Sequence, residues 1–248
     1  MIAPEARRFF FAHVQKAAGT SLFMQLKRNF DEDEIYPAPS DRVPGPAPIL
    51  FVSQLQNRYR VRRDRIRVVT GHFPIATTEL LGDSFVTLTL LRDPVERTLS
   101  FLRHYQRKNP ADDDRTLEEL YDDPIRFHGL IHNNMVKMFS LSAAEMSRGD
   151  GLMTHVEDFS NARLECAKRQ LERVDVLGID AEYEAFLAEL TTRFGWQLGA
   201  PMYANRTIHT DVASSFRRRI ASDNKADVEL FEFGCGLVAG RRRDSVSS

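Results

Sequence analysis

Cysteine is scarce: only Cys166 and Cys235 occur in 248 residues, far apart and without the paired spacing of a zinc site or a redox Cys-x-x-Cys motif. Neither a metal centre nor a disulfide framework is implied, and ordinary buried thiols are the expectation. Charge of a dominant sign is also missing, since 34 Lys plus Arg against 35 Asp plus Glu leave a formal net charge of −1. No global field draws the chain toward nucleic acid or an anionic membrane, so any basic site has to be local. No apolar run approaches the roughly 18 residues that a membrane helix needs. The start of the chain lacks the ordered basic region, apolar stretch and small-residue cleavage site of a secretory signal. Phe9-Phe10-Phe11 does follow Arg7-Arg8, but His13, Gln15 and Lys16 interrupt it at once, and a buried first strand explains it better. A cytoplasmic location is expected.

Apolar residues make up 42% of the chain, enough to fill the core of one large α/β domain. Residues 8–14 read as a buried strand that stops at a glycine-containing turn, and Leu22, Phe23, Leu26 and Phe30 then recur at helical spacing from about Thr20. Residues 36–48 carry Pro37, Pro39, Pro44, Pro46 and Pro48, which deny the backbone donors of a helix or central strand, so a surface loop is expected. Helical spacing resumes over 49–63. Strands are expected at 67–70 and 85–91, the second apolar enough to be covered on both faces. Pro94 opens a helix, with further helices at 116–121, 124–139 and 160–171, a strand at 174–179, and helices at 182–194 and 212–233. From Arg241 the tail is expected to fray. This alternation predicts a single P-loop-like α/β domain over 1–240, with a central parallel sheet flanked by helices and ligands beyond the carboxyl ends of its strands.

The first strand delivers Gln15-Lys16-Ala17-Ala18-Gly19-Thr20-Ser21 to that edge just where a helix begins. Small residues let backbone amides close around a phosphate, the helix start adds partial positive charge, and Thr20 and Ser21 add hydroxyl donors. The nucleoside triphosphate loop GxxxxGK[ST] sets its lysine after the last glycine, whereas Lys16 precedes Gly19. A second anion site is expected where residues 85–91 end in Arg92. A guanidinium offers a fork of donors to phosphate, and Ser100 lies about two helical turns further on.

Residues 11–22 resemble the 5′-phosphosulfate loop of sulfotransferases that use 3′-phosphoadenosine 5′-phosphosulfate (PAPS), above all the Golgi carbohydrate sulfotransferases, including the heparan 2-O-sulfotransferases, and their soluble bacterial relatives. Residues 91–100 resemble that family's 3′-phosphate element, which implies that Arg92 and Ser100 bind this phosphate. Thr70-Gly71-His72-Phe73 resembles its Gly-His pair, which makes His72 a candidate general base. An imidazole with an ordinary pKa near 6.5 accepts an alcohol proton at neutral pH without large tuning; the plain alternative is that His72 caps the strand. The resemblance further implies that the loop 203–210 folds over the cofactor and brings Arg206 or Thr207 to the adenine-side phosphate, and a plain surface loop is the alternative there.

The resemblance therefore implies PAPS as donor, a hydroxyl acceptor that is a sugar or small polar metabolite, and an in-line transfer without metal. Lys16 and His72 are the catalytic candidates, and Lys16, Ala17, Ala18, Gly19, Thr20, Ser21, Arg92, Ser100 and Arg206 the cofactor-binding ones. His13 and His104 are structural or substrate-facing. The arginines at 58, 60, 62, 63, 65 and 67, and again at 217–219, form either a track for an acidic acceptor or a solvated face balanced by acids. No nucleic-acid motif accompanies them. Two other functions fit less of the pattern: an ATP-dependent phosphotransferase, and a non-catalytic protein that binds a bisphosphonucleotide or a glycan.

Overall fold

Three consecutive phenylalanines mark the centre of a sheet. Side chains of a strand alternate between its faces. In β1 (Arg8–Ala12), Phe9 therefore packs edge-on against Phe30, Phe194 and Trp196, with ring centroids 6.0, 5.1 and 4.7 Å away, while Phe10 meets Phe85 at 6.0 Å on the other face. The structure, a computed structural model, describes residues 7–41, 47–112, 114–148, 156, 158–201 and 212–246. β1 lies between β3 (Val68–Gly71) and β4 (Phe85–Leu91), with β2 (Ile35–Tyr36) and β5 (Val176–Ile179) at the edges. The order is β2-β3-β1-β4-β5 and every pairing is parallel. The result is the expected α/β domain with a central parallel sheet flanked by helices.

Register decides which residues meet at the open edge. Ala12 pairs with both Gly71 and Thr89, while β4 continues through Leu90 and Leu91, which pair with Gly178 and Ile179 of β5. The residues that follow these last pairs leave the sheet side by side: His13 with His72, and Arg92 with Asp180. A satellite core of Leu99, Phe101, Leu102, Tyr121, Phe216 and Ile220 fastens the helix Pro94–Lys108 to the C-terminal helices.

Several expected elements are shorter or broken, each for a visible reason. Within 36–48, Tyr36 is a fully buried strand residue. Pro39–Asp41 is a 3₁₀ turn whose buried Asp41 carboxylate accepts from Ala38 N at 2.8 Å and Arg62 at 2.6 Å, so this part is packed rather than a surface loop. The helix over 49–63 breaks at Phe51 into Ala47–Leu50 and Val52–Arg62, because the Ile49 carbonyl accepts from the His72 amide at 2.8 Å. The stretch 124–139 is split into Pro124–Arg126, a π-helical turn Phe127–Ile131 and the helix Asn134–Ser140. Buried Arg97 draws off the carbonyls of Leu130 and Ile131 at 3.2 and 2.7 Å.

The C-terminal helix is divided at Asn224 into Ser214–Asp223 and Lys225–Val246. Asn224 leaves helical geometry at φ −109° and ψ 34°, held there as its Oδ1 accepts from Asn133 N and its Nδ2 donates to Ile220 O, both at 2.8 Å. The fraying expected from Arg241 is not found, since the helix runs through Val246. Arg241 donates to the carbonyls of Val174 at 2.9 Å and Glu172 at 2.7 Å. Short helices at Thr77–Leu81 and Ala143–Met146 escaped the sequence pattern. Both cysteines are free and half-buried rather than fully buried. Among the described residues no helix is long and apolar enough to cross a membrane.

Candidate active site

Because β1 and β3 end in register, His13 and His72 emerge as neighbours. His72 Nδ1 lies 2.8 Å from the His13 carbonyl oxygen, and the two imidazole centroids are 4.4 Å apart. A carbonyl only accepts, so the proton of neutral His72 sits on Nδ1 and Nε2 keeps its lone pair. The His13 ring stacks on Phe11 at 5.3 Å and lies over Gly19. A Cβ built on Gly19 would come within 1.9 Å of His13 Nε2, so the close approach of ring to helix requires glycine.

Between His13 and the helix Gly19–Leu26 the chain turns through two left-handed residues that are not glycine, Lys16 at φ 68° and Ala18 at φ 50°. Each costs on the order of 1–2 kcal/mol, and such turns aim successive amides into one concavity. Ala18 gives the helix no side-chain cap, so the first-turn amides and their partial positive charge are not met by a capping side chain. Ala17, Gly19 and Ser21 are buried, Lys16 and Ala18 half-buried, and Thr20 exposed.

Arg92 ties this loop to β4 by donating from Nη1 to the Lys16 carbonyl at 2.9 Å, and its Nε stands 3.4 Å from Asp180 Oδ2. The helix that follows starts at Pro94, capped by Asp93, whose carboxylate accepts from Glu96 N at 2.9 Å. Ser100 lies on its buried face, one turn beyond Arg97.

The electrostatics are one-sided. Burial first, then Arg107 and Arg92, bring the Lys16 ammonium down to a pKa of about 8. Burial, His72 and Lys16 hold His13 well below the ordinary imidazole value. His72 is also lowered, by burial and then by Lys16 and Arg97, against the opposing effect of the His13 carbonyl. Burial, Lys16, Arg107 and Lys108 lower His104. Each neighbouring charge acting on these groups is cationic, and among the described residues no carboxylate pairs with the Lys16 ammonium. Burial raises the Asp180 carboxyl, and Arg92 opposes the rise. The arrangement can hold an anion at the loop and offer a neutral imidazole nitrogen beside it.

No family model and no curated protein matches this chain. Among solved structures it is similar to a sulfotransferase from Alicyclobacillus acidocaldarius, with a TM-score of 0.49 and 15% sequence identity over 92% of this chain and 95% of that one.

The structure thus brings Lys16, Ala17, Ala18, Gly19, His72 and Arg92 to one edge of the sheet. Arg206 and Thr207 lie outside the described residues. Six of the nine arginines in the two clusters pair with local acids: Arg58 and Arg62 with Asp41, Arg63 with Asp83, Arg65 with Asp33, Arg217 with Glu96, and Arg219 with Asp122. This favours a balanced surface over an anion track. Trp196 is buried as packing against Phe9 and Phe30. Sequence reasoning missed Arg107 and Asp180. Arg107 lies two helical turns beyond Ser100, and Asp180 follows directly on the strand expected at 174–179, so both carried a readable signal.

Proposed function

We propose that this protein is a sulfotransferase moving a sulfuryl group from PAPS to a hydroxyl of a carbohydrate or other small polar acceptor. The observation that carries the reading is Lys16, an ammonium in a left-handed turn, repelled by Arg107 and Arg92 and without a carboxylate partner among the described residues. Such a group is stabilised when an anion enters. Arg92 at the end of the adjacent strand supplies a second cation, which suits a nucleotide with anionic groups at both ends. Lys16 comes before Gly19, the reverse of the order in a triphosphate loop.

In this scheme the loop amides with Thr20 and Ser21 hold the phosphosulfate, and Arg92 and Ser100 hold the 3′-phosphate. His72 Nε2 takes the proton of the acceptor hydroxyl as its oxygen bonds to sulfur. The bond from sulfur to the bridging oxygen breaks in line, and adenosine 3′,5′-bisphosphate leaves with the electron pair. Lys16 and the amides stabilise the charge gathering on that bridging oxygen, a contribution of about 10²–10³ in rate for one such donor. No step requires a metal.

Calorimetry with adenosine 3′,5′-bisphosphate and with ATP, followed by transfer from radiolabelled PAPS to a panel of hydroxyl acceptors, tests the proposal. Magnesium-independent bisphosphate binding and labelled product are expected, with Lys16→Ala losing turnover but not its melting temperature. Normal transfer by Lys16→Ala, or magnesium-dependent binding of ATP in preference to the bisphosphate, would overturn it. Tight bisphosphate binding with no transfer to any acceptor would mark a binding protein instead.

A further inference from the structure

Past the last paired residues of β4 and β5, Leu91 and Ile179, the chain sets Arg92 and Asp180 on neighbouring strand ends. Asp180 Oδ2 is 3.4 Å from Arg92 Nε, and the two side chains are 26% and 23% exposed, with Arg92 the more open. Among the described residues Asp180 has no other ion-pair partner, and no amide donates to its carboxylate. A carboxylate has about four lone-pair sites, so most of the accepting capacity of Asp180 is unspent at the edge where ligands of parallel sheets bind. Arg92 is already committed on one side, through Nη1 to the Lys16 carbonyl at 2.9 Å. A ligand phosphate on Arg92 therefore has Asp180 as its neighbour.

We propose that Asp180 reads the ribose of the donor nucleotide, accepting a hydrogen bond from the 2′-hydroxyl next to the 3′-phosphate and rejecting a phosphate at the 2′ position. The inference rests on the sulfonucleotide reading, which puts the 3′-phosphate on Arg92. Hydroxyl and phosphate sit on adjacent ribose carbons, within one hydrogen-bond span of each other, and the guanidinium and carboxylate are spaced alike. The cation takes the dianion, and the carboxylate takes the O–H. Moving the phosphate to the 2′ position would press two anions together and leave the guanidinium facing a hydroxyl, a penalty on the wrong isomer as well as a reward for the right one. Removing the 2′-hydroxyl would cost the partly buried carboxylate that hydrogen bond and leave it only the contact with Arg92.

The experiment is titration calorimetry on the full chain with adenosine 3′,5′-bisphosphate, its 2′-deoxy analogue and adenosine 2′,5′-bisphosphate. Each is measured on the unaltered protein, on Asp180→Asn and on Asp180→Ala, with melting curves for the variants. The unaltered protein should bind the 3′,5′-bisphosphate about tenfold more tightly than the deoxy analogue and about a hundredfold more tightly than the 2′,5′ isomer. Asp180→Ala should erase the first difference, and Asp180→Asn should cut the second by about tenfold. The comparison on unaltered protein needs no variant: failure to separate the three ligands overturns the role of Asp180 while bisphosphate binding stands. An equal loss for all three in folded variants does the same. If the unaltered protein binds none of them, the sulfonucleotide reading itself falls and this inference with it.

Discussion

Nδ1 of His72 lies 2.8 Å from the carbonyl oxygen of His13, one residue past the point where their strands stop pairing. That bond sets the tautomer, and with it the nitrogen that can act as base. The groups beside it set the pH range. Burial holds His72 below 6.5, so the base is lost only as pH falls through that lowered value. Lys16 loses its charge as pH rises through about 8. The proposed transfer should therefore show a bell-shaped kcat/KM, with an acid limb below 6.5 and an alkaline limb near 8. An anion bound at the loop favours the charged lysine, so the alkaline limb of kcat should lie higher than that of kcat/KM. An alkaline limb of kcat/KM at the ordinary lysine value of 10.5 would contradict the assignment.

Arg107 is the first neighbouring charge that lowers Lys16, ahead of Arg92. Replacing it by alanine should raise the Lys16 pKa and move the alkaline limb to higher pH. Added salt should shift the limb of the unaltered protein the same way, because it screens a repulsion partly open to solvent. Rate–pH profiles of Arg107→Ala at two ionic strengths check both statements. A limb that stays in place would mean that burial alone sets the value.

Strand β4 was legible because residues 85–91 form a long apolar and β-branched run. His72 and Arg92 were legible as positions because each follows directly on a strand, and Lys16 because it lies in the glycine-containing turn after β1. β2 was hidden because two residues, Ile35 and Tyr36, show no period, and the prolines after them speak for a loop. The breaks at Phe51 and Asn224 depend on partners distant in sequence, His72 and Asn133, so no local pattern announces them. Asp180 could be matched to Arg92 only once the pairing of Leu91 with Ile179 was known.

Gly19 starts a helix, where alanine is ordinarily the better residue by about 1 kcal/mol. Here its Cβ would meet the His13 ring at 1.9 Å. Gly19→Ala should destabilise the protein by about 1–3 kcal/mol through overpacking and weaken turnover by pushing His13 against His72. His13→Ala/Gly19→Ala should recover the lost stability, since the obstructing ring is gone. Denaturant unfolding of the two single variants and the pair gives the coupling. A pair no better than Gly19→Ala alone would place the clash elsewhere.

Asp227 is fully buried, and its carboxylate accepts from the amides of Met135 and Val136 at 3.1 and 2.8 Å, capping the helix Asn134–Ser140. Burial raises its carboxyl, while Arg97, the two amides and Lys137 pull it down. Lys137 is equally buried, donates to the His128 carbonyl, and is lowered to about 8 by burial despite Asp227. Removing the carboxylate leaves two amides without their acceptor and two buried cations without a nearby counter-charge. Asp227→Ala should therefore cost about 3–5 kcal/mol. Asp227→Asn/Lys137→Met should be more stable than Asp227→Asn alone, because the second change removes a buried cation that no longer has a counter-charge. Lysine in the unfolded chain holds its proton to higher pH than folded Lys137 or Lys16, so the stability of the native protein should climb between pH 8 and 10.5, and Lys137→Met should reduce that climb to the part due to Lys16. Equilibrium unfolding across this window measures both effects, and strict additivity of the two substitutions would mean that Asp227 and Lys137 do not share their charge.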